Sequence, residues 1–189
     1  MDHIIIREAK KGDLPRLIAI NRASLGDSLS EEERKRSGFV LRLYPASLVS
    51  AIMALEPVIV AEIGGEIAGY LYPMPGYFRE KVPTLRSRLL LWDVVSYRGK
   101  FLTAYRCIEM GMIVVETAFR RKGVFSRLVE EMVKRYSREY ELVVARVALG
   151  NEASLKAHER LGFELIGEGQ EGESRFYMLV KDLRPRSRL

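Results

Sequence analysis

Residues 109–126 read Glu-Met-Gly-Met-Ile-Val-Val-Glu-Thr-Ala-Phe-Arg-Arg-Lys-Gly-Val-Phe-Ser, and this stretch decides the fold. Its first half has the composition of a buried strand, its second half is a basic turn containing Gly123, and a helical pattern begins directly afterwards. At such a junction the unbonded N–H groups of the first helical turn meet the positive end of the helix dipole. Arg120, Arg121 and Lys122 add full positive charges there. The stretch therefore predicts an anion site, and a ligand with phosphate groups suits it.

The helix after the turn is amphipathic. Its apolar stripe consists of Val124, Phe125, Leu128, Val129, Met132, Val133 and Tyr136, and charged residues fill the opposite face. Residues 142–149 then form a nearly continuous apolar run, which is typical of a strand covered on both faces. Residues 109–149 are therefore predicted to form a strand–helix–strand unit with parallel strands.

Upstream of this unit, residues 57–72 form two strand-like runs around Gly64 and Gly65, which predicts a β-hairpin. Pro73 and Pro75 are expected to end the hairpin.

Residues 83–106 interrupt the alternation of strands and helices. Leu85, Leu89 and Trp92 recur at helical spacing, with basic residues scattered among them. The first interpretation is a helical insertion that covers one side of the domain. A lid that faces the substrate and a helix at a membrane surface are the alternatives.

Composition limits the class of protein. The 189 residues are 48% hydrophobic, as expected of one folded domain, and no apolar run approaches the ~18–20 residues that a membrane span needs. The single cysteine, Cys107, cannot form an internal disulfide, and no signal peptide is evident, so a cytoplasmic location is expected. Two asparagines and one glutamine in the whole chain hint at a thermophilic source. The net charge of +6 suits an acidic ligand but is also compatible with an ordinary charged surface.

The basic turn is not a P-loop, because the Gly-x-x-x-x-Gly-Lys-Ser/Thr spacing does not occur, and a nucleoside triphosphatase is therefore disfavoured. A basic nucleic-acid-binding protein has only the net charge in its favour, since interleaved aromatic and basic repeats are lacking.

Two motifs in the chain resemble those of the GNAT superfamily of acyl-CoA-dependent N-acetyltransferases. Residues 120–125 (Arg-Arg-Lys-Gly-Val-Phe) match Arg/Gln-x-x-Gly-x-Gly/Ala except at the last position. The second motif is carried by Asn151, Ser154, His158, Gly162 and Phe163, at the family's spacing. The resemblance covers residues 4–183. It implies an α/β fold in which a mixed sheet is flanked by helices, in a single domain over residues 1–189. A helical insertion is expected at 74–106, before the CoA-binding strand. A flexible tail is expected at 184–189.

The resemblance also implies a binding site for acetyl-CoA as acyl donor. The N–H groups of residues 121–126 would bind the pyrophosphate, the Ser126 hydroxyl would assist, and the strand at Ile113–Val115 would pair with the pantetheine arm. The expected cofactor-binding residues are Ile113, Val114, Val115, Arg120, Arg121, Lys122, Gly123, Val124, Phe125, Ser126 and Asn151. Phe125 replaces a residue with little or no side chain, and we expect its ring to join the apolar stripe. A solvated basic turn before a helix is the alternative.

Two catalytic residues follow from the same resemblance. The family's tyrosine acid is replaced here by His158, which could protonate the departing thiolate because an ordinary imidazole pKa is about 6.5. A half-buried structural histidine is the alternative. Glu109 occupies a position from which some family members supply a general base, and strict alternation places it on the same strand face as Gly111, Ile113 and Val115. An ion-paired strand-end glutamate is the alternative; Glu116 is a weaker candidate base.

The predicted activity is transfer of an acetyl group from acetyl-CoA to a primary amine of a small molecule, a protein or a peptide, by direct attack. No metal is required, since no cluster of His, Cys and Asp has ligand spacing. A catalytically weak CoA-binding regulatory module of the same fold is the alternative. An acyl relay through Cys107 is conceivable, although a lone cysteine on a core strand is more often inert packing. The sequence does not fix the oligomeric state and allows a dimer.

Overall fold

The computed structural model describes residues 3–185, apart from the side chains at positions 35 and 36. The strands within that range are β1 (Ile5–Glu8), β2 (Ile59–Ile63), β3 (Glu66–Pro75), β4 (Ser96–Tyr97), β5 (Lys100–Phe101), β6 (Cys107–Val115), β7 (Leu142–Ala148), β8 (Glu164–Glu171) and β9 (Ser174–Asp182). The α-helices are α1 (Leu14–Ala23), α2 (Glu31–Ser37), α3 (Ala46–Leu55), α4 (Phe78–Lys81), α5 (Arg86–Leu90), α6 (Val124–Tyr136) and α7 (Glu152–Arg160).

Seven of the described strands form one mixed sheet in the order β1-β2-β3-β6-β7-β9-β8, and β4 pairs with β5 in a separate small hairpin. β2 and β3 form the predicted hairpin around Gly64 and Gly65. β6 and β7 are parallel neighbours joined by α6, which confirms the predicted strand–helix–strand unit. The predicted fold class, a single α/β domain with a mixed sheet flanked by helices, is thus confirmed.

A β-bulge lies at Gly111 in β6. Tyr72 of β3 pairs with Met112 and Pro73 pairs with Met110, so Gly111 is the extra residue on its strand. The prolines do not end the hairpin as expected: β3 continues through Pro73 to Pro75, and the register shift falls directly before Pro73. Proline has no N–H to donate to the ladder, so the irregularity at this position accommodates it.

The bulge also reverses the alternation along β6. Cys107, Met112 and Val114 contribute to one hydrophobic core, whereas Ile113 and Val115 pack against the core on the other face. The expectation that Glu109 shares a face with Ile113 and Val115 is therefore wrong, because the extra residue at Gly111 shifts the period of two by one position.

β6 and β7 separate halfway along their length. Their parallel pairing runs from Cys107↔Leu142 to Met110↔Ala145, but β6 continues to Val115 and β7 to Ala148. Beyond that point β6 stays paired with β3 as far as Val115, and β7 stays paired with β9 as far as Ala148. The sheet therefore opens into two halves, and the strand edges that face each other across the opening make no ladder between the described residues.

The two faces of the sheet carry different helices. α6 packs on one face through Val124, Leu128 and Met132, and α7 adds Leu155 to the same core. The other face is covered by α1, α3 and the segment that follows β3. Asn151 begins α7 by accepting a hydrogen bond from the Ser154 N–H at 3.3 Å. Both helices that carry motif residues thus lie on one face, beside the opening.

The segment predicted as a helical insertion at 74–106 begins as strand, because β3 extends to Pro75. The short helices α4 and α5 and the β4–β5 hairpin follow, so the helical part is shorter than expected. Leu85, Leu89 and Trp92 are buried against the sheet, as a covering segment requires. Of the tail predicted at 184–189, Arg184 forms an ion pair with Asp182 at 2.7 Å, and residues 186–189 lie outside the described range.

Within the described residues, no helix combines the length and the apolar composition that crossing a membrane requires.

Replacing Gly111 by alanine tests the packing at the bulge. A Cβ there would lie 2.1 Å from Sδ of Met74, which is fully buried. We expect Gly111→Ala to lower the free energy of unfolding by about 1–3 kcal/mol, or roughly 2–10 °C in Tm. Gly12→Ala is the control, because its Cβ would meet nothing within 4 Å. Equal Tm values for the two variants in thermal unfolding would contradict the described bulge.

Candidate active site in the opening of the sheet

A groove of about 830 Å³ occupies the opening between β6 and α7. Its walls are the end of β6, the basic turn, the first turn of α6 and the outer face of α7. The predicted cofactor-binding residues that line it are Ile113, Val114, Val115, Arg120, Arg121, Gly123, Val124, Phe125, Ser126 and Asn151. Lys122 instead has its ammonium group 5.6 Å from the centre of the Phe119 ring. Residues far apart in sequence are thus brought together as the two motifs predict.

The basic turn is built from unusual backbone conformations. Arg121 and Gly123 have φ values of 61° and 87°, in the left-handed region, and glycine adopts this region without strain. Gly123 is the N-cap of α6, and the N–H groups of Val124, Phe125 and Ser126 follow it in the first turn, where a helix cannot bond them itself. These N–H groups and the helix dipole are the groups that the predicted anion site would use.

The two arginines of the turn have different contacts. The Arg120 guanidinium donates from Nε to the Val115 carbonyl at 3.0 Å and so fastens the turn to the end of β6. Burial lowers the pKa of Arg120. Arg121 is exposed and lines the groove, where its charge faces whatever binds. The positive charge that lines the groove comes from Arg121 and the helix terminus, together with Arg120 and, on α7, Lys156 and Arg160.

Phe125 points into the apolar side of α6, as expected. Its half-buried ring packs against the core below α6 and meets the His158 ring edge-on at 5.1 Å between centroids. His158 makes a second edge contact with Phe163 at 5.2 Å. The two departures from the family motifs are thus direct neighbours, and the Phe125 ring and the His158 ring share one packing site.

His158 is neutral in this setting. It is 2% exposed, and Nδ1 lies 2.8 Å from the Ser154 backbone carbonyl, so Nδ1 carries the proton and donates. Burial lowers the pKa of the imidazole to about 4, and the Ser154 hydrogen bond opposes this shift only in part. The imidazolium form that an acid would use is therefore rare near neutral pH. The setting matches the structural alternative, and an acid role for His158 stays a prediction.

A second, smaller cavity of about 110 Å³ adjoins the groove. The two share Phe39, Val40, Ile113, Asn151 and Ser154 as wall residues, so the groove leads into it. Asn151 holds one of these walls in place, because its side-chain amide donates to the Phe39 carbonyl at 2.8 Å. His158 also lines this cavity, as do the charged side chains of Arg42, Arg88, Arg146 and Glu171.

Glu109 lies behind the second cavity, in ion pairs. Its side chain is 1% exposed, and Oε1 accepts from Nε of Arg88 and, at 3.1 Å, from Nε of Arg146. The described residues that line the two cavities do not include it. This is the ion-paired alternative of the sequence analysis, and a base role stays a prediction. Glu116, the weaker candidate, forms an ion pair with Arg16 near the surface.

Arg146 and Glu171 complete this charged group and were not predicted. Arg146 pairs with Glu171 at 3.4 Å as well as with Glu109. One signal was present in the sequence: Arg146 is the single charged residue in the apolar run 142–149. A charge in a strand covered on both faces needs a partner, so that position could have been marked.

Cys107 is buried, and its Sγ lies 3.2 Å from the Leu102 carbonyl, to which the thiol donates. Burial raises the pKa of the thiol to about 12. The thiol therefore stays protonated at neutral pH and fits the packing role. Among the described residues, no group of three or more His, Cys, Asp or Glu side chains is arranged to hold a metal ion.

The comparison with protein families identifies the class. The model of the Acetyltransferase (GNAT) family matches residues 26–163, more than half of the chain. The chain therefore belongs to the GNAT family of acetyltransferases, whose members carry out acetyl-CoA-dependent acetyl transfer. No curated protein matches the sequence.

Solved structures share the fold at low sequence identity. An N-acetyltransferase from Staphylococcus aureus Mu50 is 22% identical with a TM-score of 0.63, over 96% of this chain and 99% of that one. yncA from Salmonella typhimurium, with its cofactor acetyl-CoA, is 20% identical with a TM-score of 0.64, over 96% and 95%. A ribosomal-protein-alanine N-acetyltransferase from Brucella melitensis is 24% identical with a TM-score of 0.61, over 94% and 99%.

The buried neutral His158 makes stability pH-dependent. Below about pH 6.5 the unfolded chain binds a proton at this residue that the folded chain does not bind until about pH 4, so the free energy of unfolding falls as the pH falls through this window. The slope is at most about 1.4 kcal/mol per pH unit. We expect the Tm of the unmodified protein to fall more steeply from about pH 7 to about pH 5 than that of His158→Phe.

The control for this experiment is His3→Gln, which changes the other histidine of the chain, at an exposed position. Its Tm should follow the unmodified protein across the same pH range. Parallel curves for the unmodified protein and His158→Phe would show that His158 is not held neutral by burial.

Proposed function

We propose that the protein is an N-acetyltransferase that moves the acetyl group of acetyl-CoA to a primary amine by direct attack. The observation that supports this most strongly is the opening between β6 and β7, which connects the anion site of the basic turn with the second, polar cavity. Acetyl-CoA supplies the acetyl group; the amine must lose a proton, and the CoA thiolate must gain one. Positioning the two substrates accounts for most of the expected rate enhancement.

Acetyl-CoA would be bound by backbone and side-chain groups that line the groove. The first-turn N–H groups of α6 would bind the pyrophosphate, with Arg121 adding charge and Ser126 a hydroxyl. The β6 edge at Ile113–Val115 faces the opening rather than β7 and would pair with the amides of the pantetheine arm. Since the Phe125 ring packs against His158, its backbone N–H keeps its place in the first turn.

The acceptor side would be the second cavity, and Glu109 is the proposed base. Because Glu109 lies behind the cavity wall, with Oε1 bonded to Arg88 and Arg146, it would act on the amine through a water molecule. The competing role is positional: Glu109 would hold both arginines in place and exchange no proton.

His158 is the proposed acid, on the strength of its motif position and its place at the second cavity. Its Nδ1 proton is committed to Ser154, so a proton for the thiolate would have to reach the ring from solvent during turnover. The competing role is to pack α7 between Phe125 and Phe163.

A CoA-binding regulatory module of the same fold is the second candidate function. The buried neutral state of His158 and the ion pairs of Glu109 favour it, because both residues have structural tasks. The two functions differ in one measurement: only an enzyme releases CoA thiol from acetyl-CoA when an amine is present.

The deciding experiment is thiol release from acetyl-CoA across a panel of amines. The panel contains amino acids, polyamines, lysine derivatives and peptides with free N-termini, including N-terminal alanine, the residue named for the Brucella melitensis neighbour. We expect at least one class to be acetylated. Binding of CoA without thiol release over the whole panel would favour the regulatory module instead.

With an acceptor identified, Glu109→Gln separates the two roles of that residue. If Glu109 is the base, kcat falls about 10²–10⁴-fold. The loss becomes smaller at high pH, where the substrate ammonium group loses its proton without a base. If it only positions the arginines, the loss is the same at every pH. His158→Ala should likewise lower kcat without changing the affinity for CoA; unchanged turnover in both variants would overturn both assignments.

Two further variants control for folding. Removing the buried carboxylate takes one anion away from Arg88 and Arg146, and breaking a buried ion pair costs about 3–5 kcal/mol, so Glu109→Asp is measured as the variant that keeps the charge. Glu168→Gln removes a carboxylate from an exposed ion pair with Arg175 and should leave turnover unchanged.

A further inference from the structure

The acceptor side of the opening contains five charged side chains that contact one another. We call them the charge cluster: Arg42, Arg88, Glu109, Arg146 and Glu171. Three cations and two anions leave one positive charge in excess. A buried or half-buried excess charge is unfavourable unless an anion can approach it.

Each of the three guanidinium nitrogens of Arg88 makes a hydrogen bond. Nε donates to Glu109, Nη1 donates to the Tyr44 hydroxyl at 3.4 Å, and Nη2 donates to the Gly111 carbonyl at 2.7 Å. Arg88 thus ties α5 to the bulge of β6, and its bonds explain why it is buried.

Arg146 differs from Arg88, because one of its donors is unused. Nε donates to Glu109 and Nη1 to Glu171 at 3.4 Å, while Nη2 is buried without a hydrogen-bond partner among the described residues. The side chain is 5% exposed and lies over the Phe176 ring at 4.8 Å. A buried guanidinium donor left unbonded is costly, and a ligand oxygen would satisfy it.

Arg146 lies in the wall of the cavity that an acceptor would enter. The second cavity is lined by Arg146, and a third cavity of about 400 Å³ shares Arg42, Tyr44, Arg88 and Glu171 with it. Lys81 adds a further cation to the third cavity. An acceptor entering from the side opposite the donor groove would therefore pass between cationic groups.

We propose that the acceptor amine carries a carboxylate, which binds Nη2 of Arg146 together with Arg42 at the rim of the second cavity. The proposal rests on the proposed function, that the chain acetylates an amine. A guanidinium fork matches a carboxylate in shape and charge, and the bound carboxylate neutralises the excess charge of the cluster. A polyamine would add cations where cations already prevail.

The ionisation of Arg146 agrees with this role. Burial, together with the neighbouring Arg88 charge, lowers the pKa of Arg146 to about 10, which still leaves it cationic at neutral pH. An anion placed against it relieves both effects. A purely structural cluster explains the bonds to Glu109 and Glu171, but not the unbonded donor or the excess charge.

The test measures binding of acetylated ligands to the CoA-loaded protein by calorimetry. N-acetylglycine, N-acetyl-β-alanine and N-acetyl-4-aminobutyrate are each compared with the corresponding amide, so that only the carboxylate differs. We expect at least one acid to bind about tenfold or more tightly than its amide. Equal binding within every acid–amide pair, including the peptide pair described next, or no binding by any of these ligands, would overturn the proposal.

A peptide arm distinguishes the source of the carboxylate. N-acetyl-Asp-Ala amide and N-acetyl-Asn-Ala amide differ only in the side-chain charge. A preference for the Asp peptide above that for the small acids assigns the site to an acidic N-terminus, and the reverse order assigns it to a free amino acid. Either order supports carboxylate recognition.

Variants assign the preference to residues. Arg42→Gln, at a half-exposed rim position, should lose most of the acid preference and leave the affinity for the amides unchanged. Arg146→Gln should lose the preference altogether if it folds. Arg106→Gln is the control, because this arginine is exposed and pairs with Glu141. An acid preference that survives Arg42→Gln would overturn the assignment.

The test of the carboxylate site can fail or succeed independently of the test for acetylation. If acids bind preferentially but no amine releases thiol, the carboxylate site stands and the enzymatic function falls. If amines are acetylated without regard to a carboxylate, the function stands and the carboxylate site falls.

Discussion

The site depends on the point at which β6 and β7 stop pairing. Both strands are held from their outer sides, β6 by β3 and β7 by β9, so they can part after Met110 and Ala145 without losing their other ladders. The Gly111 bulge lies directly after that point. An extra residue there bends the strand and increases its twist. The groove, the second cavity and the free edge of β6 all follow from this separation.

The separation also leaves positive charge at both ends of the opening. At one end, the start of α6 and Arg121 attract an anion; at the other, the charge cluster connects the two halves of the sheet, with Glu109 on β6 and Arg146 on β7. Glu109 is paired with Val144 in the last part of the ladder, so the Glu109–Arg146 ion pair holds the two strands together where the ladder ends. Arg146 thus both fastens the two strands and lines the cavity where an acceptor would bind, with Glu109 behind the cavity wall.

Patterns within a short stretch predicted most of the fold. The hairpin at Gly64-Gly65, the strand–helix–strand unit and the basic turn are each encoded by neighbouring residues, and all three are observed. The face of Glu109 was predicted wrongly because a bulge depends on pairing with β3, which local alternation does not encode. The burial and the partners of Glu109 and His158 could not be predicted for the same reason. Arg88 and Arg146 contact Glu109, and Phe125 contacts His158, and each of these partners lies on another element of the fold.

A CoA donor is proposed to fill the opening between β6 and β7, and amide hydrogen exchange with and without CoA tests this occupancy. The N–H groups of Ile113 and Val115, which alternate with those directed at β3, and the N–H groups in the first turn of α6 should exchange more slowly when CoA is bound, because the ligand becomes their partner. The β1–β2 ladder, on the far edge of the sheet, should be unchanged. Slower exchange confined to other regions, or no change at either place at saturating CoA, would contradict the account.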